Sequence, residues 1–181
     1  MREMAILEGS ASAAVVAQAA SGDRAAFERL VADHHASMAR VAYAITGDRE
    51  TATDAVQAAW AIAWQRLRTL RDHGTVRAWL VAIAANESRQ LVRRGRERTV
   101  VDISTVPELP GSSDPADRIL VVDLARTLRK LTSDERTLLA LRFAAGLDST
   151  EIAAQLGMSA SGVRSRLARL LDRLRMDLGH D

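Results

Sequence analysis

The chain contains no cysteine. Disulfide staples and thiolate metal sites are therefore excluded, and a reducing cytoplasm suits such a chain. Lysine is nearly absent as well: Lys130 is the only one among 25 basic residues. Arginine does not titrate below about pH 12. A net charge of only +2 thus yields a sequence pI near 9.9, and the placement of the arginines matters more than their sum. Aromatic residues make up 3% of the 181 residues, so the cores must be built from Ala, Leu, Val and Ile. A large β-rich fold, which favours aromatic and β-branched residues, does not fit this composition. No run of about 20 apolar residues exists, so no membrane span is expected. The mildly apolar stretch 11–20 follows Glu8, Gly9 and Ser10. It reads as an N-terminal extension over 1–21, frayed or helical, not as a signal peptide.

Catalytic signatures are missing too. No phosphate-binding glycine loop or nucleophile elbow occurs. His34, His35, His73 and His180 do not sit with carboxylates or cysteines at metal-ligand spacing. Neither an enzyme, a metal site nor a cofactor is expected.

What is present is helical periodicity. Phe27, Leu30, Val31, His34, Met38, Val41 and Ile45 recur at spacings of three and four. They predict a helix over 23–45 with one apolar face. Gly47-Asp48 ends it and caps a second helix reaching about residue 70. Ala55, Ala59, Ile62, Ala63, Arg66 and Leu67 form its inner stripe. After a break at 72–75, a third helix is expected over 75–94, with Val76, Leu80, Ile83, Ala84 and Leu91 facing inward. Residues 99–117 differ in kind. They hold all three prolines, Pro107, Pro110 and Pro115, and the acidic Asp102, Glu108, Asp114 and Asp117, without a basic residue. Proline removes helix hydrogen bonds, so this stretch reads as a flexible acidic linker. Further helices are expected at 117–130, 134–145, 149–156 and 160–177. Thr132 with Glu135, and Asp148 with Glu151, have capping-box spacing. The predicted fold is all-α, with two small helical domains at 22–98 and 118–181.

The stretch 149–175 carries the clearest motif. Ile152 and Leu156 mark a short helix, Gly157 permits a tight turn, and Ser159 is placed to cap a second helix. Val163, Leu167, Leu170 and Leu174 face inward on that helix. Its outer side reads Arg164, Ser165, Ala168, Arg169 and Asp172, flanked by Arg166, Arg173 and Arg175. A helix-turn-helix of this kind lays its second helix in the major groove, where arginines meet guanine edges and phosphates.

The first domain has two faces of interest. Asn86, Arg89, Gln90 and Arg93 share one side of the third helix, extended by Arg94, Arg96 and Arg98. Such residues contact bases and phosphates, although helix ends also collect arginines for dipole reasons. On the second helix, Asp54, Gln57, Ala61, Trp64 and Arg68 form a polar face containing a tryptophan, a common interface mark. Core packing is the alternative for Trp60, Trp64 and Trp79, and is favoured for Trp79.

In order and spacing, these segments resemble the extracytoplasmic-function group of sigma factors over residues 22–178. The resemblance lies in Gly22-Asp23 through Phe27, Gly47-Asp48, Asp54-Ala55-Val56-Gln57, Trp79-Leu80, Ile83-Ala84, Asn86 and Arg93-Arg94. It continues in Leu141-Arg142, Glu151-Ile152-Ala153, Leu156-Gly157 and Val163-Arg164-Ser165-Arg166-Leu167. It implies a cytoplasmic factor that binds core RNA polymerase through the β′ and β subunits and directs initiation at particular promoters. Asp54, Gln57, Ala61, Trp64 and Arg68 would contact polymerase. Trp79, Asn86, Arg89, Gln90, Arg93 and Arg94 would read the −10 element. Ser159, Ser161, Arg164, Ser165, Arg166, Arg169 and Arg173 would read the −35 element. The acidic linker would thread toward the polymerase cleft, and an anti-sigma protein is a further partner that the resemblance suggests. The chain departs from the family pattern at Thr53 and Ala58, where acidic residues are usual, and at Ser161-Gly162, where Gly-Thr is usual. The competing reading is a helix-turn-helix regulator that is not a sigma factor, and a third is a helical interaction module without a DNA role.

Overall fold

The computed structural model describes residues 13–98 and 130–178. The expected linker at 99–117 and most of the helix expected at 117–130 lie outside the described residues. A first helix, α1, covers 13–20, and its Val16 and Ala19 are buried in the core. Helix α2 spans Arg24–Thr46; the Asp23 side chain accepts from the Ala26 N–H at its start, and Gly47, at φ 71°, closes it. Helix α3 spans Arg49–Arg66, with the Asp48 carboxylate accepting from Thr51 N–H at 2.7 Å. It tightens into a 3₁₀ turn at Leu67–Thr69, and a second such turn covers His73–Thr75. Helix α4 runs over Val76–Arg98. It extends past the expected end at residue 94, because Gly95 weakens a helix only by about 1 kcal/mol and no proline or cap stops it there.

The second unit holds α5 (Ser133–Leu139), α6 (Ser149–Leu156) and α7 (Ala160–Leu178). Both expected capping boxes are formed, Thr132 with Glu135 and Asp148 with Glu151. One difference falls at 140–145. The chain leaves α5 through a π turn at Ala140–Ala144, closed by Ala145 N–H donating to the Ala140 carbonyl at 2.9 Å. All described regular structure is helical, as the composition implies.

The first core is packed from Leu30, Met38, Val41 and Ile45 of α2, Ala55, Ala59 and Ala63 of α3, and Leu80, Val81 and Ala84 of α4. The alanines of α3 let three helices approach closely, and the aromatic Phe27, Tyr43, Trp60 and Trp79 pack only partly buried against this core. Arg66, expected on the inner stripe of α3, is exposed instead, because the helix ends there and its side chain reaches water. The second core holds Leu141, Leu147, Ile152, Ala153 and Val163. The two cores are continuous: their buried residues form one cluster, with α2 against the π turn and α4 against α5 and α6.

Hydrogen bonds from Thr51, side chain first and backbone next, hold the Asp48 carboxyl below its ordinary range. A depressed folded-state pKa adds stability that is present above the unfolded value and lost as pH falls through the folded one. Asp48 is largely exposed, so the effect is small. Asp48→Asn keeps a good N-cap but removes the charge. Melting temperatures measured across the acid range should fall less steeply for Asp48→Asn than for the wild type. Asp48→Ala, which loses the cap, should cost about 1 kcal/mol at neutral pH by urea unfolding.

Candidate nucleic-acid interface

The helix-turn-helix is built from local chemistry. At the start of α6 the Asp148 carboxylate accepts from Thr150 and Glu151 N–H at 2.7 and 2.9 Å. At its end Gly157 adopts φ 64°, and its N–H donates to the Ala153 carbonyl. The Met158 N–H donates to the same carbonyl at 3.0 Å. Ser159 Oγ then accepts from Gly162 N–H at 3.0 Å and opens α7, with Ser161 Oγ 3.2 Å away. Ile152 and Val163 are fully buried between the helices, with Leu167 beside them. The outer side of α7 is exposed over Arg164, Ser165, Arg166, Ala168, Arg169, Asp172, Arg173 and Arg175, as the spacing predicts. Arg169 Nε donates to the Ser165 carbonyl at 3.3 Å, and Arg175 pairs with Asp172 at 2.9 Å. Arg173 pairs with Glu135 at 2.5 Å. Burial of Glu135 opposes its ionisation, but hydrogen bonds from Thr132 and Arg173 outweigh this and hold its carboxyl below the ordinary range.

On α4, Asn86, Arg93 and Arg94 are exposed, while Arg89, Gln90 and Trp79 are half-buried. Gln90 Nε2 donates to Glu87 Oε1 at 3.1 Å, and Arg94 donates to Gln90 Oε1 at 3.4 Å. Arg89 pairs across to Asp134 of α5 at 2.6 Å. The side chains of Arg96 and Arg98 lie outside the described residues. The sequence treats the α4 and α7 faces as separate. The structure brings parts of both together, since Arg89, Arg166, Arg169 and Arg173 line one cleft of about 690 Å³ over Leu138, Leu156 and Met158.

The α3 face is fully presented: Asp54, Gln57, Ala61, Trp64 and Arg68 are all exposed. The three tryptophans divide. Trp60 and Trp79 pack half-buried on the core, whereas Trp64 is 43% exposed. Phe27 meets the edges of both Trp64 and Trp60, at centroid distances of 4.8 and 5.6 Å. Trp60 Nε1 donates to His35 Nδ1 at 3.3 Å. Phe27 as the support of Trp64 was not legible, because its spacing marks only an apolar stripe. Asp134 and Glu135 as partners of arginines were also missed. Their sequence signal is a helix start, and it does not say what faces that start in space. Asp54 and Arg94 line one shallow pocket between α3 and α4, which places a residue of each set side by side. Among the described residues, no group of three His, Cys, Asp or Glu is placed to hold a metal ion, and no helix is long and apolar enough to cross a membrane.

Comparison with known proteins agrees with this arrangement. Sigma-70 region 2 matches residues 30–98, and sigma-70 region 4 matches residues 122–174. The chain is 31% identical over 170 residues to the ECF RNA polymerase sigma factor SigL of Mycobacterium tuberculosis, covering 90% of this chain and 94% of SigL. One longer curated relative is spanned over 42% of its length. Among solved structures, CnrH in complex with the cytosolic domain of CnrY superposes with a TM-score of 0.67 at 30% identity, covering 93% of this chain and 95% of that one. RpoE of Bartonella quintana, in complex with the anti-sigma factor NepR, superposes with a TM-score of 0.67 at 25% identity, covering 86% and 98%. The chain belongs to the sigma-70 family, in its extracytoplasmic-function group. It is a factor for promoter-directed transcription initiation that binds core RNA polymerase and promoter DNA, and a helix-turn-helix regulator of another kind is not favoured.

Gly157 has open space around its missing Cβ, so a side chain there meets no neighbour. Its positive φ still disfavours an L side chain by about 1–2 kcal/mol. Gly157→Ala should lower unfolding stability by about that amount, and Gly157→Asn by less, since asparagine tolerates this conformation. Equal stability of both variants with the wild type in urea would contradict the turn geometry.

Proposed function

We propose that residues 22–98 form the polymerase-binding and −10-reading unit and residues 118–181 the −35-reading unit. The observation that carries this reading is the exposed arginine face of α7, held out by a capped α6, a left-handed Gly157 and the Ser159 cap. Arg164, Ser165 and Arg169 on that face are the base readers. Ser159, Ser161, Arg166 and Arg173 serve the phosphates that fix register. Trp79, Asn86, Arg89, Gln90, Arg93 and Arg94 of the first unit act at the −10 element. Asp54, Gln57, Ala61, Trp64 and Arg68 form the polymerase face, where Trp64 offers a large half-exposed ring supported by Phe27. The chain works in the cytoplasm and supplies recognition, while the polymerase supplies the chemistry. An anti-sigma protein is a further partner, by analogy with the NepR complex.

Run-off transcription with purified core polymerase tests the reading. The chain should direct transcripts from a two-element promoter, and the absence of transcripts together with failure to comigrate with core would overturn it. Arg169→Ala should weaken −35 recognition by about 1–3 kcal/mol and relax preference at one base position. Trp64→Ala should raise the Kd for core polymerase by about tenfold or more, as for a central interface aromatic. Binding to core can be measured by fluorescence anisotropy, where an unchanged Kd removes Trp64 from the interface.

A further inference from the structure

We propose that the cleft between α5 and α7 is a binding site for a small amphipathic anion, an organic phosphate or carboxylate joined to a compact apolar group, and that its occupancy competes with reading of the −35 element. The competition rests on the roles proposed above for Arg166 and Arg169. Apart from Arg89 of α4, every residue lining the cleft belongs to the second unit. The site is therefore made by the fold of that unit. Its volume of about 690 Å³ lies within the range of small-molecule sites, roughly 300–1,000 Å³.

Two chemistries meet there. The floor is aliphatic: Leu138 of α5, Leu156 of α6, Met158 of the turn and Leu170 of α7. Leu156 and Met158 are only half-buried, so the protein leaves this floor incompletely covered. Methionine adapts its shape to irregular apolar bodies. The rim is basic. Arg166, Arg169 and Arg173 recur at spacings of three and four, which sets them in one row along α7 with Leu170. Four arginines reach the cleft against two carboxylates, Asp134 and Glu135. Those carboxylates are already engaged, with Arg89 at 2.6 Å and Arg173 at 2.5 Å. Arg169 uses only Nε, on the Ser165 carbonyl at 3.3 Å. Arg166 has no hydrogen-bond or ion-pair partner among the described residues.

These two features select the ligand. A guanidinium holds carboxylate or phosphate oxygens in a fork, two hydrogen bonds at a time. An inorganic anion uses the rim and leaves the floor wet. An uncharged apolar compound covers the floor and leaves the guanidiniums of Arg166 and Arg169 without a counter-charge. A compound with both parts meets both. Arg166 and Arg169 also stand on the exposed outer side of α7. Their side chains cannot hold an anion in the cleft and a DNA phosphate or base at once. Binding in the cleft thus weakens −35 reading, and DNA weakens binding in the cleft by the same factor.

Anilinonaphthalene sulfonate, an apolar aromatic body with one anionic head, serves as the probe. Titrated into the full chain, it should gain fluorescence to saturation at one site per chain. Octyl phosphate and octanoate test the two heads, and displacement of the probe by either supports the site. Inorganic phosphate and octanol, which each carry one part alone, should not displace it at the same concentration. With isotope-labelled methyl groups in the wild-type chain, NMR shift changes should concentrate on Leu138, Leu156, Met158 and Leu170, a result independent of how any variant folds. Arg166→Ala should raise the Kd for the probe about tenfold, as for loss of one charge-assisted hydrogen bond. Met158→Gln, which puts an amide into the apolar floor, should raise it about tenfold as well, with affinity for a −35 duplex unchanged. Octyl phosphate at saturation should weaken binding of that duplex to the wild type, measured by fluorescence anisotropy. Probe binding that does not saturate, methyl shifts spread over the first unit, displacement by octanol as efficient as by octyl phosphate, or duplex affinity unmoved by octyl phosphate overturns the proposal. Failure of the residue roles appears separately, as duplex affinity unmoved by Arg169→Ala while the methyl shifts remain.

Discussion

Close approach of α4 to its neighbours is the constraint on which the other features depend. Ala42 of α2, Ala55, Ala59 and Ala63 of α3, and Ala84 and Ala85 of α4 are all buried. Small side chains at these positions bring the three helices together, and the remaining core volume is filled by Leu30, Met38, Ile45 and Leu80. With one long side spent on that packing, α4 presents Asn86, Arg93 and Arg94 outward. The same approach places its first turn at Ala145 and its middle at Asp134. A larger residue on the α3 stripe would push α4 outward, and such overpacking commonly costs about 1–3 kcal/mol.

Charge in this molecule is a matter of pairing. Arginine keeps its charge under all relevant conditions and offers several donors in a fixed plane. Arg89, Arg173 and Arg175 are paired with carboxylates, and Arg77 and Arg142 donate to carbonyls at 145 and 147. The small net charge of +2 thus conceals how many arginines are engaged within the protein, Arg173 and Arg175 on the exposed outer side of α7 among them. His34 illustrates the same economy on a smaller scale. Burial lowers its pKa, the charge of Arg77 adds to this, and Asp33 opposes it. A histidine kept neutral in this way favours the folded chain above its unfolded pKa, and that contribution is lost as the pH falls below it.

Much of the fold was legible because its signals are local. The α2 apolar spacing, the capping boxes at Thr132 and Asp148, and the turn at Gly157 each depend on residues within a few positions of one another. The exposed side of α7 follows from period 3.6 alone. The roles of Trp60 and Trp64 were not separable in the same way, since both sit on α3 within one helical turn. Phe27 of α2 touches both, and the hydrogen bond from Trp60 to His35, with the greater exposure of Trp64, separates them.

The helices, their caps, the helix-turn-helix and the family were determined by the sequence itself, because hydrogen bonding within a few residues and the periodicity of apolar side chains specify them. The tertiary structure decided what faces what. It joined two cores into one cluster, bent the end of α5 into a π turn against α2, and set Asp134 against Arg89 across 45 positions of chain. Contacts of that kind arise from packing between distant segments, and no local pattern encodes the distance between them.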